Sequence, residues 1–197
     1  MSESSEQEPL TLIIGVGSPH GDDRAGWEVI DRLMEEIATE VASVNATSLQ
    51  LHKAAVPHDI LDWLTSDTIV HIIDASVDVA PEVRCYLIAS ETNKLSIREL
   101  TLNSLPATCC EQDPIACRLQ LRSNSTHQFD LLASLELALA LGRMPKTVLL
   151  WTITISQTKA AAALSNSTQT LVHQCARHIA NSLKSPIGNP VVTSRTH

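Results

Sequence analysis

Two adjacent carboxylates, Asp22 and Asp23, follow the glycine-rich stretch Gly15-Val16-Gly17-Ser18-Pro19-His20-Gly21. A third, Asp74, closes the apolar run Ile69-Val70-His71-Ile72-Ile73, and an imidazole, His127, stands in Asn124-Ser125-Thr126-His127-Gln128-Phe129. Carboxylate oxygen and imidazole nitrogen together suit a borderline divalent ion such as nickel or zinc, and residue type alone does not choose between them. Three such ligands, Asp23, Asp74 and His127, leave coordination positions open, which a reactive site needs and a structural one does not. Each group also has a plain structural role available: capping a helix N-terminus for Asp22 and Asp23, capping a turn for Asp74, a surface or cap position for His127. The first loop is a poor phosphate cradle. It lacks the third glycine of a dinucleotide fingerprint and the lysine of a P-loop, and its two acids would repel phosphate.

For these residues to meet, the chain must bring them to one edge. Residues 10–16 read as a buried strand, and the next segment sets Val29, Ile30, Leu33, Met34 and Ile37 on one helical face. A weaker strand is expected near 48–53, a short helix over about 58–64, a second clear strand over 68–74 ending in the acid, and another over 82–89. The pattern fails from 90 to about 126, a stretch read as a long functional loop or an unassigned segment. It resumes with a helix over 129–141 stopped by Gly142, a β-branched strand over 147–155, and a last helix over about 166–183 capped by Ser165 or Asn166. Strands alternating with helices predict an α/β fold, a three-layer α/β/α sandwich on a mostly parallel sheet of about five strands. In such a sheet ligands gather outside the carboxyl ends of the strands, where Asp23 and Asp74 fall.

The chain of 197 residues, 44% hydrophobic, is sized for one domain over 10–184, with a disordered polar tail at 1–9 and a flexible one at 185–197. A formal charge of -8 provides no basic footprint for nucleic acid or for anionic membrane surfaces. No apolar run approaches a membrane span, and the acidic first residues are the opposite of a secretory signal, so a cytoplasmic location is expected. Five cysteines without a Cys-x-x-Cys pair indicate reduced thiols; Cys109, Cys110 and Cys117 lie in the unpatterned stretch and invite a metal or nucleophile reading that free thiols explain more simply. His71, inside an apolar strand, reads as a hydrogen-bonded core residue; His20 reads as an exposed loop residue, and Trp27, Trp63 and Trp151 as packing.

The blocks Gly15-Val16-Gly17-Ser18-Pro19-His20-Gly21-Asp22-Asp23-Arg24-Ala25-Gly26, Ile72-Ile73-Asp74-Ala75, Ser125-Thr126-His127-Gln128 and Gly142-Arg143-Met144-Pro145, in this order and spacing, resemble the hydrogenase maturation proteases from about Leu10 to Leu183. The resemblance implies a peptidase that removes a C-terminal peptide from the large-subunit precursor of a nickel-iron hydrogenase. Asp23, Asp74 and His127 would contact a nickel ion that belongs to the substrate, with no resident organic cofactor, and Gly15, Gly17, Ser18 and Asp22 would border the substrate. Two departures stand out. Ser18 replaces the usual Asn, and His52-Lys53-Ala54-Ala55-Val56-Pro57 lacks the acid and glycines of the family's Asp-Gly-Gly-Thr-x-Gly block. The second departure keeps open an alternative, a non-catalytic metal-sensing maturation chaperone of the same fold. A small-molecule hydrolase with a resident metal is a third reading.

Overall fold

The computed structural model describes residues 9–39, 48–77, 80–100, 102, 126–155 and 163–184, with the backbone alone over 126–130. The expected tails, the stretch with Cys109, Cys110 and Cys117, and the side chain of His127 lie outside the described residues.

A strand that is apolar on both parities must be covered on both faces. The first such run forms β1 (Thr11–Val16), buried from Leu12 onward. It leads through a 3-10 turn, Gly21–Arg24, into α1 (Ala25–Thr39), then β2 (Leu49–Ala54), a second 3-10 turn, Pro57–Asp62, and β3 (Ile69–Val77). Then come β4 (Val83–Glu91), β5 (Lys94–Leu100), α2 (Thr126–Ala140), β6 (Thr147–Ile155) and α3 (Asn166–Lys184). The strands form one sheet in the order β2-β1-β3-β6-β4-β5. β2, β1, β3 and β6 are parallel, whereas β4 is antiparallel to both β6 and β5. The expected sheet of about five mostly parallel strands is thus one of six with a mixed half.

The extra strand is β5, inside the stretch expected to be a loop. Leu95 and Ile97 alternate with Ser96 and Arg98 and are buried, the period of a half-buried strand. A two-residue turn joins it to β4, with Thr92 at φ 49 and Asn93 at φ 61, the left-handed pair of a type I′ hairpin. Thr-Asn lacks the glycine that usually announces this turn. β3 also runs past Asp74, because Ala75, Ser76 and Val77 find partners in Ile153, Thr154 and Ile155 of β6. On α1, Val29, Ile30 and Leu33 are buried as expected, while Met34 lies 45% exposed at the margin of the apolar face.

Two cores flank the sheet. α1 and α3 cover one face, where Val29, Ile30 and Leu33 meet Leu171, Val172 and Ile179. α2 and the second 3-10 turn cover the other, with Leu131, Leu132 and Leu135 beside Ile60, Val70 and Ile72. The close seat of α1 depends on two glycines. A Cβ on Gly15 would stand 2.3 Å from the Gly26 carbonyl oxygen, and one on Gly26 would stand 2.3 Å from the Val16 oxygen and 2.9 Å from that of Ile73. α2 ends in a Schellman motif: Gly142, at φ +68, donates to the Leu139 carbonyl at 3.0 Å, and Arg143 donates to that of Ala138 at 2.8 Å. Among the described residues no helix is long and apolar enough to cross a membrane.

Candidate active site at the carboxyl edge of the sheet

β1 lies between β2 and β3, so the chain leaves β1 toward one side and returns on the other; between β1 and β3 the winding reverses, and a crevice opens at their carboxyl ends. β1 ends one residue after Gly15, which pairs with Ile73. Asp74 is therefore the first β3 residue beyond the level of that last pair. Its parity is that of Val70 and Ile72, which puts its side chain on the α2 face.

Asp74 is completely buried. Its Oδ1 accepts the Ala75 N–H at 2.9 Å, and its Oδ2 has no partner. Burial, with a further contribution from the Asp23 charge and against the Ala75 hydrogen bond, pushes the carboxyl up to about 8. A turn cap would use its oxygens and stay ionised. Asp74 instead holds a dry, orphaned oxygen beside another carboxylate, a combination that favours a proton or a cation.

Asp23 comes from the 3-10 turn that follows β1, half-buried, its N–H donating to the His20 carbonyl at 3.3 Å. Three residues later Gly26 sits against the Ile73 carbonyl, so the same short segment that carries Asp23 is pressed onto the strand residue preceding Asp74. His127 lies in the first turn of α2. Because α2 leads back into β6, which is parallel to β3, that first turn stands at the carboxyl edge, on the face where Asp74 points. The fold thus places Asp23 and Asp74 near enough for the Asp23 charge to act on Asp74, and delivers the His127 backbone to the same end. Among the described residues there is no group of three metal-ligating side chains.

The glycines and Asp22 take positions of their own. Gly15 faces Gly26, and a Cβ on Gly17 would meet the Asp23 carbonyl oxygen at 2.4 Å, so both let the loop fold tightly on itself. Ser18 is half-buried in that loop, and His20 is exposed. Asp22 is 4% exposed, and its carboxylate accepts the Ser165 N–H at 2.7 Å and the Ser165 hydroxyl at 3.0 Å. It caps a helix N-terminus, but that of α3 rather than of the helix it precedes.

Where acid and glycines are missing after β2, Ala54 borders the first loop: its carbonyl accepts from Gly17 N at 3.2 Å and from Trp27 Nε1 at 2.9 Å. A carboxylate of the segment that follows, Asp59, takes the Ala55 and Val56 N–H groups on its Oδ2 at 2.9 and 3.1 Å. Sequence reasoning also passed over a polar row. Ser76, Thr152 and Thr154 share the α2 face with Asp74 and are buried, and Arg84, in register with Thr152, bonds to Glu82. Their signal was the polar parity at the end of otherwise apolar strands, Asp74-x-Ser76 and Thr152-x-Thr154. His71 is the expected hydrogen-bonded core histidine: its Nδ1 accepts from Trp151 Nε1 at 3.1 Å, and burial lowers it to about 4.

Solved structures share this architecture. The hydrogenase maturating endopeptidase HybD from E. coli superposes with a TM-score of 0.63 at 16% identity, over 89% of this chain and 92% of that one. The [NiFe] hydrogenase maturation protease HybD from Thermococcus kodakarensis gives 0.57 at 19% identity, over 89% and 99%. The fold is that of the hydrogenase maturation endopeptidases. A solution structure of an endopeptidase from Escherichia coli gives 0.61 at 13% identity, over 89% and 92%. No protein-family profile and no curated protein matches the sequence. At 13–19% identity the likeness is one of backbone fold.

Proposed function

We propose that this chain is an endopeptidase that removes a C-terminal peptide from a nickel-loaded hydrogenase large-subunit precursor, reading the substrate's nickel through Asp23, Asp74 and His127. The observation that supports the reading most is the buried, unpartnered Asp74 Oδ2 beside Asp23 at the carboxyl edge of this fold. A cation there offsets the burial cost of the carboxylate that a proton offsets at rest. His127, in the first turn of α2, supplies the nitrogen donor.

The reaction is a hydrolysis. Water adds to the scissile carbonyl, the C–N bond breaks, a carboxylate forms on the mature subunit and the proton goes to the departing amine. The substrate's nickel polarises the carbonyl or the attacking water, and its open positions accept them. Asp74 gives up its proton when the ion arrives and then meets it as a carboxylate, with Asp23. A cytoplasmic location is part of the proposal and is consistent with Cys85 and Cys175, which are buried free thiols. The loop after β2, where residues 52–57 hold no acid and Asp59 is tied to backbone, favours the chaperone alternative as the second reading.

Mass measurement of the nickel-loaded precursor after incubation with purified protein separates the two. The peptidase reading expects loss of a C-terminal peptide, with rates at least about a hundredfold lower for Asp23→Asn and His127→Ala. A stable complex with no change in mass is the chaperone's result and would end the peptidase reading.

A further inference from the structure

The loop between β1 and α1 carries Asp23 and folds tightly on itself. Its 3-10 turn is four residues long, too short to be fixed by its own hydrogen bonds. Among the described residues, hydrogen bonds at Gly17 and Asp22 join the loop to the rest of the molecule. Gly17 donates to the Ala54 carbonyl on the β2 side, and Asp22 reaches Ser165 on the α3 side, 143 residues away in sequence.

The second attachment is built with some care at the atomic level. Asp22 is buried, and each of its oxygens takes a different proton of Ser165, the N–H and the hydroxyl. Ser165 is the N-cap of α3: its Oγ accepts from Thr168 N at 3.3 Å and its carbonyl from Gln169 N at 2.9 Å. Having given its hydroxyl proton to Asp22, Ser165 has lone pairs left for these helix donors and for the Thr168 hydroxyl at 2.9 Å. The Asp22 charge also meets the positive end of the α3 dipole. α3 is a firm post, because Leu171, Val172 and Cys175 are buried in the core it shares with α1.

We infer that Asp22 is a positioning residue: its double bond to Ser165 ties the Asp23 loop to the N-terminus of α3 and sets the distance between Asp23 and Asp74. The inference rests on the peptidase reading of the same edge and assigns Asp22 a part other than contact with substrate. Asp23 is its chain neighbour, so an untethered Asp22 lets the acting carboxylate drift, and a drift of about 1 Å is enough to cost a large rate factor.

Asp22→Ala, Asp22→Asn and Ser165→Ala test it, with Ser165→Thr as the conservative variant that keeps the hydroxyl. Cleavage of the nickel-loaded precursor should lose about tenfold or more in kcat with Asp22→Ala and Ser165→Ala, with KM changed less than about threefold, and the double variant should be no worse than the weaker single. Ser165→Thr should stay near the parent. Amide hydrogen exchange across 21–24 should quicken alike in both alanine variants, and Asp22→Asn supplies the readout if alanine fails to fold. Unchanged kcat with a lowered melting temperature would reduce Asp22 to a helix cap and overturn the inference. Unchanged exchange removes the tether whatever the activity, whereas quickened exchange in the variants of a parent that itself cleaves nothing removes the peptidase reading and leaves the tether standing.

Discussion

Burial makes the charged form of Asp74 costly, and a cation makes it favourable, so this residue is set to change protonation when an ion arrives. At rest its carboxyl titrates at about 8, against 3.8 for an unfolded aspartate. Folding therefore takes up a proton at Asp74 between those values, and the stability it contributes falls as pH rises from about 4 to about 8. His71 acts in the other direction: lowered from 6.5 to about 4, it removes stability as pH falls through that range. Above 6.5 only Asp74 of the two still titrates. Denaturant melts of Asp74→Asn should lose the decline that the parent shows between pH 6.5 and 8, and the variant should be more stable at pH 8 by roughly 1–3 kcal/mol. Equal slopes for parent and variant would contradict a raised Asp74. The sequence marked Asp74 as an acid closing an apolar run; that one of its oxygens is buried without a partner is a property of tertiary packing that the run itself does not encode. Asp22 was legible as a helix cap by residue type, but not which helix it caps, because Ser165 lies 143 residues away.

Elements were legible where hydrophobic period and turn chemistry agreed. β1, β6 and α3 fall almost residue for residue where the pattern sets them, and Gly142 ends α2 as a C-terminal glycine should. The pattern was hidden where the turn carried no glycine, as at Thr92-Asn93, although β5 itself alternates clearly. Two sequence blocks that look functional are in part architectural. Gly142 and Arg143 close the Schellman motif, and Arg143 Nε donates to the Leu64 carbonyl at 3.2 Å, pinning the end of α2 to the segment before β3. Gly15 and Gly26 let α1 press onto β1 and β3. Gly26→Ala would drive a methyl to 2.3 Å from a backbone oxygen that cannot move alone, so we expect a loss of roughly 3 kcal/mol or more and reduced activity through displacement of Asp23. Calorimetry checks the first. A variant melting within a degree of the parent would mean that α1 shifts at little cost.

At the scale of the molecule, the mixed sheet matters less to the site than the winding of its parallel half. The order β2-β1-β3-β6 opens the crevice between β1 and β3, and the return of α2 into β6 brings the His127 turn to the same end. Alternation of strands and helices made that edge predictable before any coordinates, since a parallel sheet leaves its loops in one place. It could not give the strand order, because β4, with β5 behind it in the hairpin, joins the sheet through long-range pairing with β6 that no local pattern encodes. The proposed function requires three remote groups to close on one ion. Diffraction at the nickel edge from crystals soaked in a nickel salt, or grown with the nickel-loaded precursor, tests it most directly. The expected result is one anomalous peak about 2 Å from a carboxylate oxygen of Asp23, one of Asp74 and a ring nitrogen of His127. A peak elsewhere, or a His127 ring more than about 10 Å from the two carboxylates, too far for ligands with bonds near 2 Å, would contradict it.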